Sequence, residues 1–224
     1  MIKSVSLIIP FKSDKSEKEK LFTLLRGISN WKAVPNEIII INTDQEKLSF
    51  PSDIELFTEQ ENINFCIFHQ EKAYPGHARN IGIFNASNPL LAFLDTSTHP
   101  SNDWLLNGLN IINTHNCEGV WGKTNYQAEK FLSKIFRAST YGAKPIQTLP
   151  GSILHKNIFK KCGLFVESTR AGEDGDFMSR AKLHNVNVCE SESFLNYDKL
   201  DRISFREIIR KWYRNYFHSA SMPY

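Results

Sequence analysis

Residues 37–41 read Glu-Ile-Ile-Ile-Ile, closed off by Pro35-Asn36 before and Asn42-Thr43-Asp44 after. An apolar run this short, bounded by turn-forming residues, predicts a strand buried on both faces, the environment of a central strand in a parallel sheet. Parallel neighbours need long crossover connections, usually helices. The chain must therefore alternate strands with helices.

It does. Residues 5–11 predict a first strand, and Ser16-x-x-Glu19 predicts a capping box ahead of Leu21, Leu24, Leu25, Ile28 and Trp31, which recur at helical spacing. Residues 65–69 predict a further strand, 77–87 a helix and 90–94 a fourth strand ending at Asp95. The order implies an open, mostly parallel, Rossmann-like α/β sheet with helices on both faces. Ligands of such sheets bind at the carboxyl ends of the strands. The ends in question are 10–12, 42–44 and 95–99.

The second half continues with a helix over 101–115, strands over 119–126 and 148–154, and a helix over 129–140 between them. A short helix over 156–162 stops at Gly163, and Gly172-Glu173-Asp174 opens another that runs to His184. Short strands follow at 186–190 and 194–197, then a last helix over 204–217. With no repeat and no linker, 1–224 reads as one domain, with a C-terminal amphipathic helix over 201–224.

Composition excludes several classes. The 27 lysines and arginines against 24 acidic residues leave a net charge of +3, clustered only at the C-terminus, so no nucleic-acid partner is expected. Cys66, Cys117, Cys162 and Cys189 form no CxxC pair. No stretch is long and apolar enough for a membrane span, and the N-terminus lacks the features of a secretory signal, so a cytoplasmic location is expected.

The chain resembles the family 2 glycosyltransferases, which use nucleotide-sugar donors on a GT-A fold. The resemblance rests on 5–10 (Val-Ser-Leu-Ile-Ile-Pro), 37–41, Gly76-His77-Ala78-Arg79-Asn80-Ile81-Gly82 and Ala92-Phe93-Leu94-Asp95. It continues through Pro150-Gly151-Ser152, Gly163-Leu164-Phe165, and Gly172-Glu173-Asp174-Gly175-Asp176-Phe177 with Arg180. The pieces fall in the family's order over almost the whole chain.

The resemblance implies an inverting transfer from a nucleotide diphosphate sugar, UDP-type first, to a glycan or lipid-linked acceptor hydroxyl, with 1–100 as the nucleotide-binding half and 101–200 as the acceptor-binding half. Pro10 and Phe11 would border the nucleotide; Asn42 and Asp44 stand where an acidic pair usually holds the nucleoside. Arg79 has two open readings, contact with donor phosphate or internal pairing with Asp95. Asp95-Thr96-Ser97 takes the place of the family's Asp-x-Asp, so a divalent cation, magnesium or manganese, would rely on Asp95, with Ser97 acting through water and His99 or Asp103 as spare ligands. Asp174 falls at the position of the catalytic base, at a helix N-terminus that favours an ionised carboxylate. Glu173, Asp176, Arg180 and Gly151 would support it.

In the last helix Arg202, Arg206, Arg210 and Arg214 recur every four residues beside an apolar stripe, a pattern that first suits a helix solvated on one side and packed on the other, and second a peripheral membrane or anionic-acceptor contact through 202–217. Two other readings are weighed. One is a degenerate domain that binds nucleotide or glycan without catalysis. The other is a nucleotidyltransferase, which needs a glycine-rich phosphate loop after the first strand, whereas Phe11-Lys12-Ser13-Asp14 contains no glycine.

Overall fold

A computed structural model describes residues 4–12, 15–44, 48–193, 195–198, 200–202 and 204–220. The first half runs β1 (Val5–Phe11), α1 (Lys15–Ile28), β2 (Glu37–Asn42), α2 (Ser52–Gln60), β3 (Asn64–His69), α3 (Pro75–Asn85) and β4 (Leu90–Phe93). It continues with β5 (Thr98–His99), α4 (Trp104–His115), β6 (Gly119–Tyr126), α5 (Phe131–Thr140), β7 (Ile146–His155) and α6 (Asn157–Cys162). Last come α7 (Glu173–Leu183), β8 (Val188–Glu190), β9 (Leu195–Tyr197), a 3-10 turn at Leu200–Arg202 and α8 (Phe205–Ala220).

The strands form one sheet in the order β3-β2-β1-β4-β7-β6-β9-β5, with β8 also on β6. Every residue of β2 is buried, because β1 and β3 flank it in parallel and helices cover both faces. Alternation assigns the side chains: Leu7, Ile9, Ile38 and Ile40 pack with α1, α2 and α4, while Ile8, Ile39 and Ile41 pack with α3, α6 and α7. Beyond β4 the sheet turns antiparallel at β7 and again at β6, then parallel at β8 and β9. The result is the expected α/β class with a mostly parallel sheet.

Register aligns the strand ends. Phe11 pairs with Asn42, and Asn42 with His69, so three strands finish at one level. At their opposite ends Glu37 is buried and accepts hydrogen bonds from Ser6, Asn64 and Ser87. Gly82 brings α3 onto the sheet: a Cβ there would lie 2.5 Å from Ile8 Cγ2.

Several local expectations shift. Ser16 is already inside α1, so it does not serve as the cap of a capping box. The helix α2 was not anticipated, because only Ile54 and Thr58 are buried along it and its apolar signal is weak. The two-residue β5 is below the length at which alternation can be seen. Phe194, expected to open the last strand, lies outside the described residues. A third small core, Phe136, Leu200 and Ile208, ties α5 and the 3-10 turn to α8.

Candidate active site

Arg79 stands at the centre of the carboxyl-end crevice. Buried on α3, it donates from Nη1 to Glu173 Oε1 at 2.7 Å and from Nη2 to Asp95 Oδ1 at 3.1 Å. One guanidinium thus joins the loop after β4 to the start of α7 by the internal pairing with Asp95. Burial works against the charge, but Asp95, Glu173 and Asp174 more than offset it and hold the Arg79 pKa above its ordinary value. Asn80, next along α3, both donates to the Phe165 carbonyl (2.9 Å) and accepts from its N–H (3.0 Å), locking α3 to the segment before α7.

The three acids at the head of α7 separate cleanly. Glu173 is buried against Arg79, and burial, followed by the charge of Asp174, raises its pKa despite the guanidinium. Asp176 is buried and takes Arg180 Nε at 2.9 Å and Nη2 at 2.6 Å. Arg180 also donates to the carbonyls of Cys162 and Leu164, so it braces α7 against α6. Asp174 alone of the three is partly exposed, its Oδ1 accepting the local Gly175 N–H at 2.9 Å.

The loop after β4 is tied residue by residue. Asp95 binds Arg79, Thr96 donates to Glu17 of α1, and Ser97 accepts from Lys20 Nζ at 3.2 Å. Lys20 also pairs with Glu17 (2.7 Å) and Asp198 (3.2 Å), and Asp198 pairs with His99 at 2.6 Å. His99 therefore faces Asp198, and Asp103 faces Ser101 and Lys32, at 2.8 and 3.7 Å. The residues present do not suit a divalent cation. Asp95 is the one carboxylate of the Asp95-Thr96-Ser97 segment, its Oδ1 already holds Arg79, and the second position presents an ammonium. Among the described residues no three His, Cys, Asp or Glu side chains gather as a metal site.

At the ends of β1 and β2 the residues expected to border the donor are held by their own neighbours. The Phe11 ring is buried in the core, and its carbonyl accepts Thr43 N–H at 2.8 Å, so β1 offers backbone there rather than an aromatic face. Asn42 is buried, with Oδ1 accepting from Asp44 N–H at 3.1 Å and Nδ2 lying 3.4 Å from His69 Nδ1. Pro10 sits half-buried beside Ile41. Gly151, at φ 88°, is buried in β7 and accepts Trp104 Nε1 at 3.0 Å, a packing position.

Three tyrosines escaped the sequence reading. Tyr126 stacks on Tyr141 at 3.8 Å and leans on Tyr197 at 5.0 Å. Burial, with Asp95 among the nearby charges, pushes both Tyr126 and Tyr197 far above the ordinary phenol value, so they remain neutral hydroxyls. They come from β6, the residue that ends α5, and β9, and no local pattern marks them as neighbours.

A sheet parallel over β3-β2-β1-β4 and continued by antiparallel β7 and β6, with these charged groups gathered after β4 and at the head of α7, has the architecture of a GT-A-type fold. Solved structures share it. S. aureus TarS residues 1–349 in complex with UDP-GlcNAc superposes with a TM-score of 0.61 at 16% identity, over 93% of this chain and 65% of that one. The mannosyltransferase PcManGT from Pyrobaculum calidifontis, in complex with GDP-Man and Mn2+, gives 0.64 at 12% identity, over 97% and 62%. Residues 6–170 match the profile described as Glycosyl transferase family 2, and the chain belongs to that family. Glycosyltransferase AglE of Haloferax volcanii is 23% identical over 173 residues, 77% of this chain. The chain spans 55% of the length of that relative.

Proposed function

We propose that the chain transfers a sugar from a nucleotide diphosphate donor to an acceptor hydroxyl with inversion, using Asp174 as the base. The observation that carries this is the division among the acids of α7: Arg79 engages Glu173, Arg180 engages Asp176, and Asp174 is left partly exposed at the helix start. Asp174 takes the acceptor proton as the acceptor oxygen bonds to the anomeric carbon, and the bond from that carbon to the β-phosphate oxygen breaks. A single displacement inverts the centre.

The donor is read as UDP-type first and GDP-type second, since similar folds were solved with UDP-GlcNAc and GDP-Man. Residues 1–100 would bind it, and 101–200 would take a glycan or lipid-linked acceptor. Peripheral contact with the cytoplasmic face of a membrane through 202–217 is supported by the exposed Phe205, Ile209, Tyr213 and Phe217 beside exposed Arg206 and Arg210. No helix among the described residues is long and apolar enough to cross a membrane.

The test is calorimetric titration with UDP, GDP, CDP and dTDP, followed by donor turnover in wild type and Asp174→Asn. Binding by both proteins with turnover only in wild type is the expected result. Equal turnover in the variant would discard Asp174 as base; binding without turnover in wild type would favour a non-catalytic domain.

A further inference from the structure

Helix α8 runs from α5 to the head of α3. Trp212 Nε1 donates to Thr140 Oγ1 at 2.8 Å from mid-helix, and near the C-terminal end the His218 ring meets Tyr74, the residue before α3, at 6.3 Å between centroids. Lys211 immediately precedes the Trp212 anchor and Arg214 lies between Trp212 and His218, both half-buried. Among the described residues neither has a carboxylate within salt-bridge distance, and Arg214 Nε is enclosed without a hydrogen-bond partner.

Their surroundings place them over the crevice. Arg214 lies within electrostatic reach of Glu173, Tyr197, Tyr141 and Arg170, and Lys211 within reach of Glu207, Arg214 and Lys20. Burial first, then the neighbouring cations, hold both pKa values below their ordinary positions. Half-buried cations that repel one another and have acids only at a distance, without a salt bridge, are costly, and an anion bound among them relieves that cost. Across the crevice Lys20 Nζ sits 3.2 Å from Ser97 Oγ, beside the side chain that stands where the resemblance leads one to look for a metal-binding carboxylate.

We propose that this chain meets the diphosphate of its nucleotide donor with side-chain cations, Arg214 and Lys211 of α8 together with Lys20 beside Ser97, and works without a divalent metal ion. The inference rests on the glycosyl-transfer reading above. When the bond between the anomeric carbon and the β-phosphate oxygen breaks, its electron pair stays on that oxygen, and the acceptor proton passes to Asp174. The charge gained by the leaving diphosphate then falls among cations already in position, which is where preorganised charge contributes most. Helix α8 becomes part of the donor site as well as a surface element.

The experiment is titration of UDP, GDP, CDP and dTDP into wild type, Arg214→Gln, Lys211→Gln and Arg214→Lys, each in EDTA and in Mn2+, with melting curves to establish folding. One nucleotide should bind wild type equally well in both buffers. Affinity should fall about tenfold or more in each Gln variant, roughly 1.4 kcal/mol, and recover largely in Arg214→Lys. Binding that requires Mn2+, or folded Gln variants with wild-type affinity, would overturn the proposal while leaving the donor-site reading intact. No binding of any of the four in either buffer would overturn the donor-site reading and the inference with it. If the Gln variants fail to fold, salt dependence in wild type decides: affinity that falls steeply with added KCl supports the cation clamp, and affinity indifferent to salt overturns it.

Discussion

Arg79 and Glu173, separated by 94 positions in the chain, meet through a 2.7 Å hydrogen bond with both side chains buried. That contact fastens α3 to the head of α7 and thereby sets where Asp174 stands relative to Asp95. It is a structural relationship with a functional result, and its removal separates the two.

Arg79→Ala should be among the most damaging single changes. It strands a buried carboxylate at Glu173, a type of loss that costs about 3–5 kcal/mol. For a chain of this size the melting temperature should drop on the order of 10 °C. Thermal melting followed by circular dichroism reads it, and an unchanged midpoint would mean that the pair contributes little.

Asp174→Asn and Asp176→Asn should part company. The first touches a partly exposed group and should leave stability within about 0.5 kcal/mol while lowering transfer by roughly 10²–10⁴-fold, the usual loss for a general base. The second weakens the Arg180 brace and should lower the unfolding midpoint in urea. Loss of activity in both with no difference in stability would contradict the division of roles.

Glu37 gives a pH signature. Burial works to raise its pKa, but the hydrogen bonds from Ser6, Ser87 and Asn64 prevail and hold it below the ordinary 4.5. An acid with a depressed folded pKa contributes stability above its unfolded pKa and loses it as pH falls through the folded value. Glu37→Gln should therefore destabilise the protein at neutral pH by about 1–2 kcal/mol, with the deficit shrinking below about pH 4.5. Urea midpoints for both proteins from pH 7 to pH 3 test this; a deficit that grows on acidification would reverse the assignment.

The exposed face of α8 should bind anionic vesicles. Tyr213 is 71% exposed and Ile209 48%, with Arg206 and Arg210 alongside. The double change Ile209→Ser and Tyr213→Ser should weaken sedimentation with phosphatidylserine-containing vesicles by roughly tenfold or more, given about 1.5–3 kcal/mol for each large apolar side chain buried. Equal sedimentation of the two proteins would remove the membrane from the account.

What could be read from the sequence was whatever burial writes locally. The run at 37–41 specified a central strand because only a two-faced environment tolerates consecutive isoleucines, and the following strand and helix patterns settled the α/β class. The acids at 173, 174 and 176 were visible as a group by the same logic, since a glycine and three acids mark a helix start. Which acid is paired was not visible, because Arg79 and Arg180 reach them through folded geometry, Arg79 from another helix. Phe11 was expected at the nucleotide, yet its ring faces the core, an orientation decided by the packing of α1 against β1. The tyrosine stack, the Lys20 ammonium on Ser97 and the position of Lys211 and Arg214 over the crevice each join segments distant in the chain. Local pattern determined the elements and the level at which the strands end; tertiary structure alone decided which charges meet there, because electrostatic partners are chosen by distance in space, and sequence spacing carries no record of that distance.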